Sequence, residues 1–338
     1  MSESKALILG CSGTVLTSEE TAFFREHRPW GFILFARNVG DADQLRRLVA
    51  DLRASVGRAD APVLVDQEGG RVQRLRPPLA ERYPSASRLG QIYRLDREAG
   101  LRATWLMSRL HAFDLARHGI SVDCLPVLDV PARDGSNVIG DRAYSDDPVA
   151  VARMGEAAAA GLKAGGVLPV VKHMPGHGRA RVDTHLELAV VDAPRQELED
   201  VDFVPFRALN GEAMAMTAHV VYQAIDPERP ATMSERVISS VIREAIGFDG
   251  LLMSDDISMK ALSGDFSDRA GRIMSAGCDV VLHCNGLMEE MQAVVDAVPV
   301  LSGDAKRRAD TAMVSFSPCD DAAEDALRKE FHELIVDV

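Results

Sequence analysis

The sequence predicts an α/β chain folded as a single (β/α)₈ TIM-type barrel with a short helical appendage at its C-terminus. Three observations carry this. Short apolar runs alternate with amphipathic segments about eight times, without a composition break or linker between the units, and repeated β-α alternation means a parallel sheet covered by helices. A length of 338 residues suits one closed barrel. No Gly-rich dinucleotide fingerprint follows the first apolar run, which counts against a doubly wound open sheet.

Residues 6–10 form the first apolar run and read as a strand. The same run, Leu7-Ile8-Leu9-Gly10-Cys11, ends like a lipoprotein signal, but it is far shorter than a signal's apolar region requires. Thr17-Ser18-Glu19-Glu20 then offers a capping box for a helix towards His27. Residues 31–35 are a strand, and 41–56 a helix with Leu45, Leu48, Val49, Leu52 and Val56 at helical spacing. Residues 62–66 are a strand ending on the carboxylate of Asp66, followed by a polar, Gly-rich loop from Gln67 to Arg74.

A long helix over 96–118 precedes a strand at 121–125 and a turn-rich stretch at 126–147. An Ala-rich helix over 148–164 stops at Gly165-Gly166, a helix C-cap signal. Strand 167–171, helix 196–209, strand 213–217, helix 234–246, strand 250–254, helix 268–276, strand 278–283 and helix 288–298 complete the alternation. The barrel is expected over residues 1–302, with a charged, helix-leaning appendage packed on it over 303–338.

Composition narrows the function. With 38 Lys and Arg against 51 Asp and Glu, the net charge is −13, opposite to the basic face that nucleic acid requires. The five cysteines are dispersed without a C-x-x-C pair, which disfavours structural zinc and disulfides and suits a reducing cytosol. No stretch is long enough to span a membrane.

Lys172-His173-Met174-Pro175-Gly176-His177-Gly178, continuing to Asp183-Thr184-His185, places three histidines, a lysine and an aspartate within fourteen residues after a strand. Imidazoles are the groups most easily poised for proton transfer near neutral pH. In this assignment Asp66, Lys172, His173, His219 and Asp255 all follow strands, where barrel active sites lie. Each has a plainer explanation. Asp255-Asp256 could be a nucleophile, a metal site or a helix N-cap, and Asp183 and His185 could sit on a surface turn. Gly69-Gly70 with Arg71 and Arg74 could cradle an anion or form only a tight turn. Lys172 could be a Schiff-base lysine or a hydrogen-bond donor. Pro175 and Gly176 prevent His173 and His177 from forming a helical zinc pair.

Several segments together resemble glycoside hydrolase family 3, and within it the single-domain bacterial β-N-acetylhexosaminidases. They are Val65-Asp66-Gln67-Glu68-Gly69-Gly70-Arg71-Val72-Gln73-Arg74, the Lys172–Gly178 and Asp183–His185 stretches, and Ser254-Asp255-Asp256-Ile257-Ser258-Met259. Ile139-Gly140-Asp141-Arg142-Ala143-Tyr144-Ser145-Asp146-Asp147-Pro148 and Ala218-His219-Val220-Val221-Tyr222 add to them, in the right order from about Phe32 to Gly286. The resemblance implies that Asp255 is the catalytic nucleophile, His185 the proton donor and acceptor, and Asp183 its dyad partner. Asp66, Arg74, Arg142, Lys172 and His173 would hold the sugar.

It further implies a retaining exo-β-N-acetylglucosaminidase that removes GlcNAc from muropeptides or chitobiose-like fragments in cytoplasmic cell-wall recycling. The expected enzyme is a monomer with no cofactor, no metal and no nucleic-acid or membrane partner. His177 is expected to be structural. A phosphorylase on the same fold, a metal-dependent hydrolase using His173, His177, His185 and Asp255, and an inert sugar-binding barrel are the competing readings. Two departures from the family pattern stand out. Met174 replaces an aromatic, as adaptable apolar filler, and Asp141 replaces a Glu, which shortens the carboxylate beside Arg142.

Overall fold

A computed structural model describes residues 3–132, 138–180 and 187–336. Eight parallel strands close into a barrel: β1 (Lys5–Leu9), β2 (Pro29–Leu34), β3 (Val63–Val65), β4 (Val122–Asp123), β5 (Leu168–Met174), β6 (Met214–Thr217), β7 (Leu251–Asp256) and β8 (Val280–His283). Each strand pairs with its neighbours in chain order, and β8 pairs back onto β1 through Leu7↔Val281. Most of the strand residues are buried on both faces, as parallel strands covered by helices require. All eight predicted strands are present, with ends within two residues of the expectation except that β5 runs three residues further, to Met174.

The helices follow the predicted signals. Thr17 and Glu20 form the capping box at the start of Ser18–His27, and Asp41 caps Ala42–Ser55 with its carboxylate on the backbone N–H groups of Asp43 and Gln44. Pro148–Ala164 ends at Gly165. Three departures have local causes. The predicted helix over 196–209 is broken into Arg195–Glu197, a π-helical turn Leu198–Asp202 and Val204–Ala208, because Pro205 cannot donate to the preceding turn and crowds it. The loop after Asp66 is a short antiparallel hairpin, Gln67–Gly69 with Val72–Gln73. A helix at Ala86–Leu95, absent from the sequence reading, packs on the long helix Arg97–Ala116.

Two helices follow the barrel. Gly303–Val314 packs against β7, and Glu324–Val336 lies along Arg97–Ala116. Phe331 is buried there, and the Arg102 guanidinium grips both oxygens of Glu330 at 2.6 and 2.7 Å. Among the described residues no helix is long and apolar enough to cross a membrane.

Candidate active site

A cavity of about 290 Å³ opens at the C-terminal end of the barrel. It lies at the small end of ligand pockets, which run from roughly 300 to 1,000 Å³. Asp66, Glu68, Arg74, Arg142, Lys172, His173, His177 and Asp255 line it. Asp183 and His185 lie outside the described residues.

A relay of ion pairs builds one wall. Asp66, directly after β3, receives the Lys172 ammonium on Oδ1 and the Arg74 guanidinium on Oδ2, both at 2.9 Å. Lys172 also reaches Glu68 at 2.6 Å, and Glu68 takes a two-pronged contact from Arg142 at 2.7 and 2.8 Å. Burial pushes the Glu68 carboxyl up, but Arg142 and Lys172 outweigh it and hold it at about 2. Asp66 is held well below the ordinary range in the same way, by Lys172 and Arg74. Lys172 is shifted up, since Asp66 and Glu68 outweigh its burial. A Schiff-base lysine needs a lowered pKa, so Lys172 acts as a cationic donor.

The cavity residues His173, His177 and Asp255 are organised from behind by Asp129, which the sequence does not single out, and by His219, which follows a strand as expected. One Asp129 oxygen accepts the backbone N–H groups of His173 at 3.2 Å and His177 at 2.7 Å; the other meets His173 Nδ1 at 2.7 Å. His173 is thereby oriented and His177 is fixed through its backbone. Burial depresses the His177 imidazole to about 4, against the pull of Asp129, so it is neutral at pH 7. His219 donates from Nε2 to the Asp256 carbonyl at 3.0 Å, and its Nδ1 lies 2.8 Å from the Thr232 hydroxyl. It therefore holds the backbone of the Asp255-Asp256 pair.

Asp255 and Asp256 differ sharply. Asp256 accepts from Ser258 and from the Cys284 N–H, which makes it the anchor of a turn. Asp255 receives the Asp256 backbone N–H at 2.8 Å and lines the cavity. Burial would raise its carboxyl, but His219, His173, that N–H and Lys172 keep it below the ordinary value, so it is ionised at neutral pH. The next helix, Phe266–Ala276, is capped by Asp265, so the N-cap explanation of the pair does not hold.

The remaining expectations can be placed. Gly69 and Gly70 make the tight turn of the hairpin, with φ of 91° and 56°. Arg71 is engaged by Asp141 at 3.0 Å and by the Val138 carbonyl at 2.6 Å. The shortened Asp141 therefore leaves Arg142 alone, and Glu68 positions that arginine instead. Met174 closes β5 fully buried in the main core, as filler would. Glu68 sat within a recognised motif, and Asp129 follows β4 by a few residues; the strand-end rule applied there would have found it. Among the described residues no three His, Cys, Asp or Glu side chains are grouped to hold a metal ion.

The walls alternate cationic donors with anionic acceptors and are nearly balanced in charge. This suits a compact neutral ligand rich in hydroxyls, each of which both donates and accepts.

Comparison with known proteins agrees with that geometry. The model of the glycosyl hydrolase family 3 N-terminal domain matches residues 11–313. A beta-hexosaminidase of Alkalilimnicola ehrlichii is 41% identical over 297 residues, 87% of this chain and 84% of its own. Its counterpart in Xylella fastidiosa is 38% identical over 313 residues, 90% of this chain and 89% of its own. NagZ from Neisseria gonorrhoeae, solved in complex with N-trifluoroacetyl-D-glucosamine, superposes with a TM-score of 0.85 at 32% identity, covering 98% of this chain and 96% of that one.

Proposed function

This chain belongs to glycosyl hydrolase family 3, and from that premise we propose that it is a retaining exo-β-N-acetylglucosaminidase releasing terminal GlcNAc from muropeptides. The observation that carries the reading is Asp255: an ionised carboxylate, partly buried at a barrel-strand end, in a cavity lined by paired donors and acceptors. A ligand of the GlcNAc kind in the Neisseria relative supports the same sugar.

In the proposed reaction, Asp66, Arg74, Arg142, Lys172 and His173 hold the sugar hydroxyls. Asp255 attacks the anomeric carbon as the bond to the leaving oxygen breaks, and His185 supplies that oxygen's proton. A covalent glycosyl-enzyme results. Water then attacks the same carbon, gives a proton back to His185 and releases Asp255. Asp183 orients the imidazole and stabilises its protonated form, as a carboxylate does in a hydrolytic triad. We place the protein in the cytoplasm as a monomer serving cell-wall recycling, and assign residues 1–302 to the catalytic barrel and 303–338 to the appendage.

A panel of aryl β-GlcNAc, β-GalNAc, β-glucoside and β-xyloside substrates, run with and without phosphate and with chelator, tests this. Free GlcNAc at a rate indifferent to phosphate and chelation is expected. GlcNAc 1-phosphate formed only with phosphate would establish a phosphorylase, and loss of activity on chelation a metal enzyme.

A further inference from the structure

The hairpin that carries Glu68 and leads into Arg74 is held from outside the barrel. Its Gln73 side chain accepts the Tyr83 N–H at 3.1 Å and donates to the Glu81 carbonyl at 2.5 Å, while Gly70 N–H reaches the Tyr83 carbonyl at 3.0 Å. The segment from Glu81 to Ser85 thus straps the hairpin down. A Cβ on Gly69 would stand only 2.3 Å from the Pro84 carbonyl oxygen, so the strap is as close as a backbone allows.

The strap is fixed in turn by the last helix. Tyr83 Oη donates to Asp114 at 2.5 Å. Arg328, on Glu324–Val336, donates to Tyr83 Oη at 3.1 Å and to the other Asp114 oxygen at 2.7 Å, and it pairs with Glu81 as well. Tyr83 and Asp114 are buried and Arg328 is largely so. One planar guanidinium serves these three groups and Glu324 of its own helix, which the point charge of a lysine could not do in the same geometry.

We propose that Arg328 is a positioning residue for sugar binding: it locks the 81–85 strap, and through the strap the hairpin that presents Glu68 and Arg74. The appendage would then complete the substrate site without touching it. The inference rests on the reading of Arg74 and Arg142 as sugar-holding groups.

The test compares Arg328→Met with Glu330→Gln at a temperature where both are folded. Glu330 ties the same helix to Arg102, and none of its hydrogen bonds reaches the strap. Arg328→Met should raise KM for an aryl β-GlcNAc about tenfold with kcat changed much less, as misplacement remote from the chemistry does. Glu330→Gln should move neither. Amide hydrogen exchange, followed by mass spectrometry, should show lost protection across residues 67–75 in Arg328→Met alone. Unchanged protection there, or a KM equal in the two variants, overturns the proposal. If the wild type hydrolyses no β-N-acetylhexosaminide, the functional reading fails by itself, and the exchange result still decides whether Arg328 controls the hairpin.

Discussion

Both residues of the Asp255-Asp256 pair border the cavity, but Asp256 uses both oxygens on Ser258 and Cys284, whereas Asp255 accepts one backbone N–H. The division follows from neighbours and not from residue type, so exchanging the two roles by mutation should be impossible. Asp255→Ala is expected to abolish hydrolysis of an aryl β-GlcNAc, by more than about 10³-fold as loss of a nucleophile does, while thermal unfolding stays near wild type. Near wild-type turnover would remove Asp255 from the mechanism. His185→Ala should impair substrates with poor leaving groups far more than activated aryl ones, since an activated phenolate needs little protonation. A Brønsted series across leaving groups reads this directly, and an equal loss for all would argue against an acid role. The motifs point to Asp66, Arg74, Arg142, Lys172, His173 and Asp255, and all six line one cavity. Glu68 was quoted within a motif and still given no role, because its partners Lys172 and Arg142 are remote along the chain.

At the scale of elements, period and capping signals were enough for the barrel. Strands β1 to β8 are apolar runs, and Thr17, Asp41 and Gly165 mark helix ends. The hairpin after Asp66 was invisible for a physical reason. Its buried side chains are those of Gln67, Glu68 and Gln73, so hydropathy alternation, the usual strand signal, is missing. The helix Ala86–Leu95 was obscured by the prolines that precede it, although Ala86, Leu89 and Ile92 have helical spacing and are buried. A substitution in the hairpin turn isolates its role. Gly69→Ala puts a Cβ against the Pro84 carbonyl at a φ of +91°, which should cost about 1–3 kcal/mol. Urea unfolding checks the loss. A KM increase in the same variant would show that the turn also sets sugar affinity, and an unchanged midpoint would mean that the strap yields.

Across the whole molecule, the site depends on buried charges brought together from distant segments: 106 residues separate Asp66 from Lys172 and 74 separate Glu68 from Arg142. No local pattern reveals such pairings, yet they govern how stability responds to acid. Glu68 and Asp129, each held at about 2, bind protons more weakly folded than unfolded. Their stabilisation is complete above about pH 4.5 and is lost as pH falls towards 2. His177, lowered to about 4, behaves alike in a higher window: its contribution is present above about pH 6.5 and lost on acidification to 4. Asp202 opposes it. Burial outweighs Arg179 and raises this carboxyl to about 6, so the cost of ionising it fades as pH falls from 6 to about 3.8. Each shift of this size corresponds to about 3 kcal/mol, so the His177 and Asp202 contributions nearly cancel between pH 6.5 and 4. The unfolding midpoint of the wild type should therefore be level down to about pH 4.5 and fall steeply below it. His177→Gln, which removes one side of the balance, should become more stable on acidification from pH 6 to 4, and Asp202→Asn should lose stability over the same range. Parallel curves for the two variants would show that neither group titrates as its surroundings require.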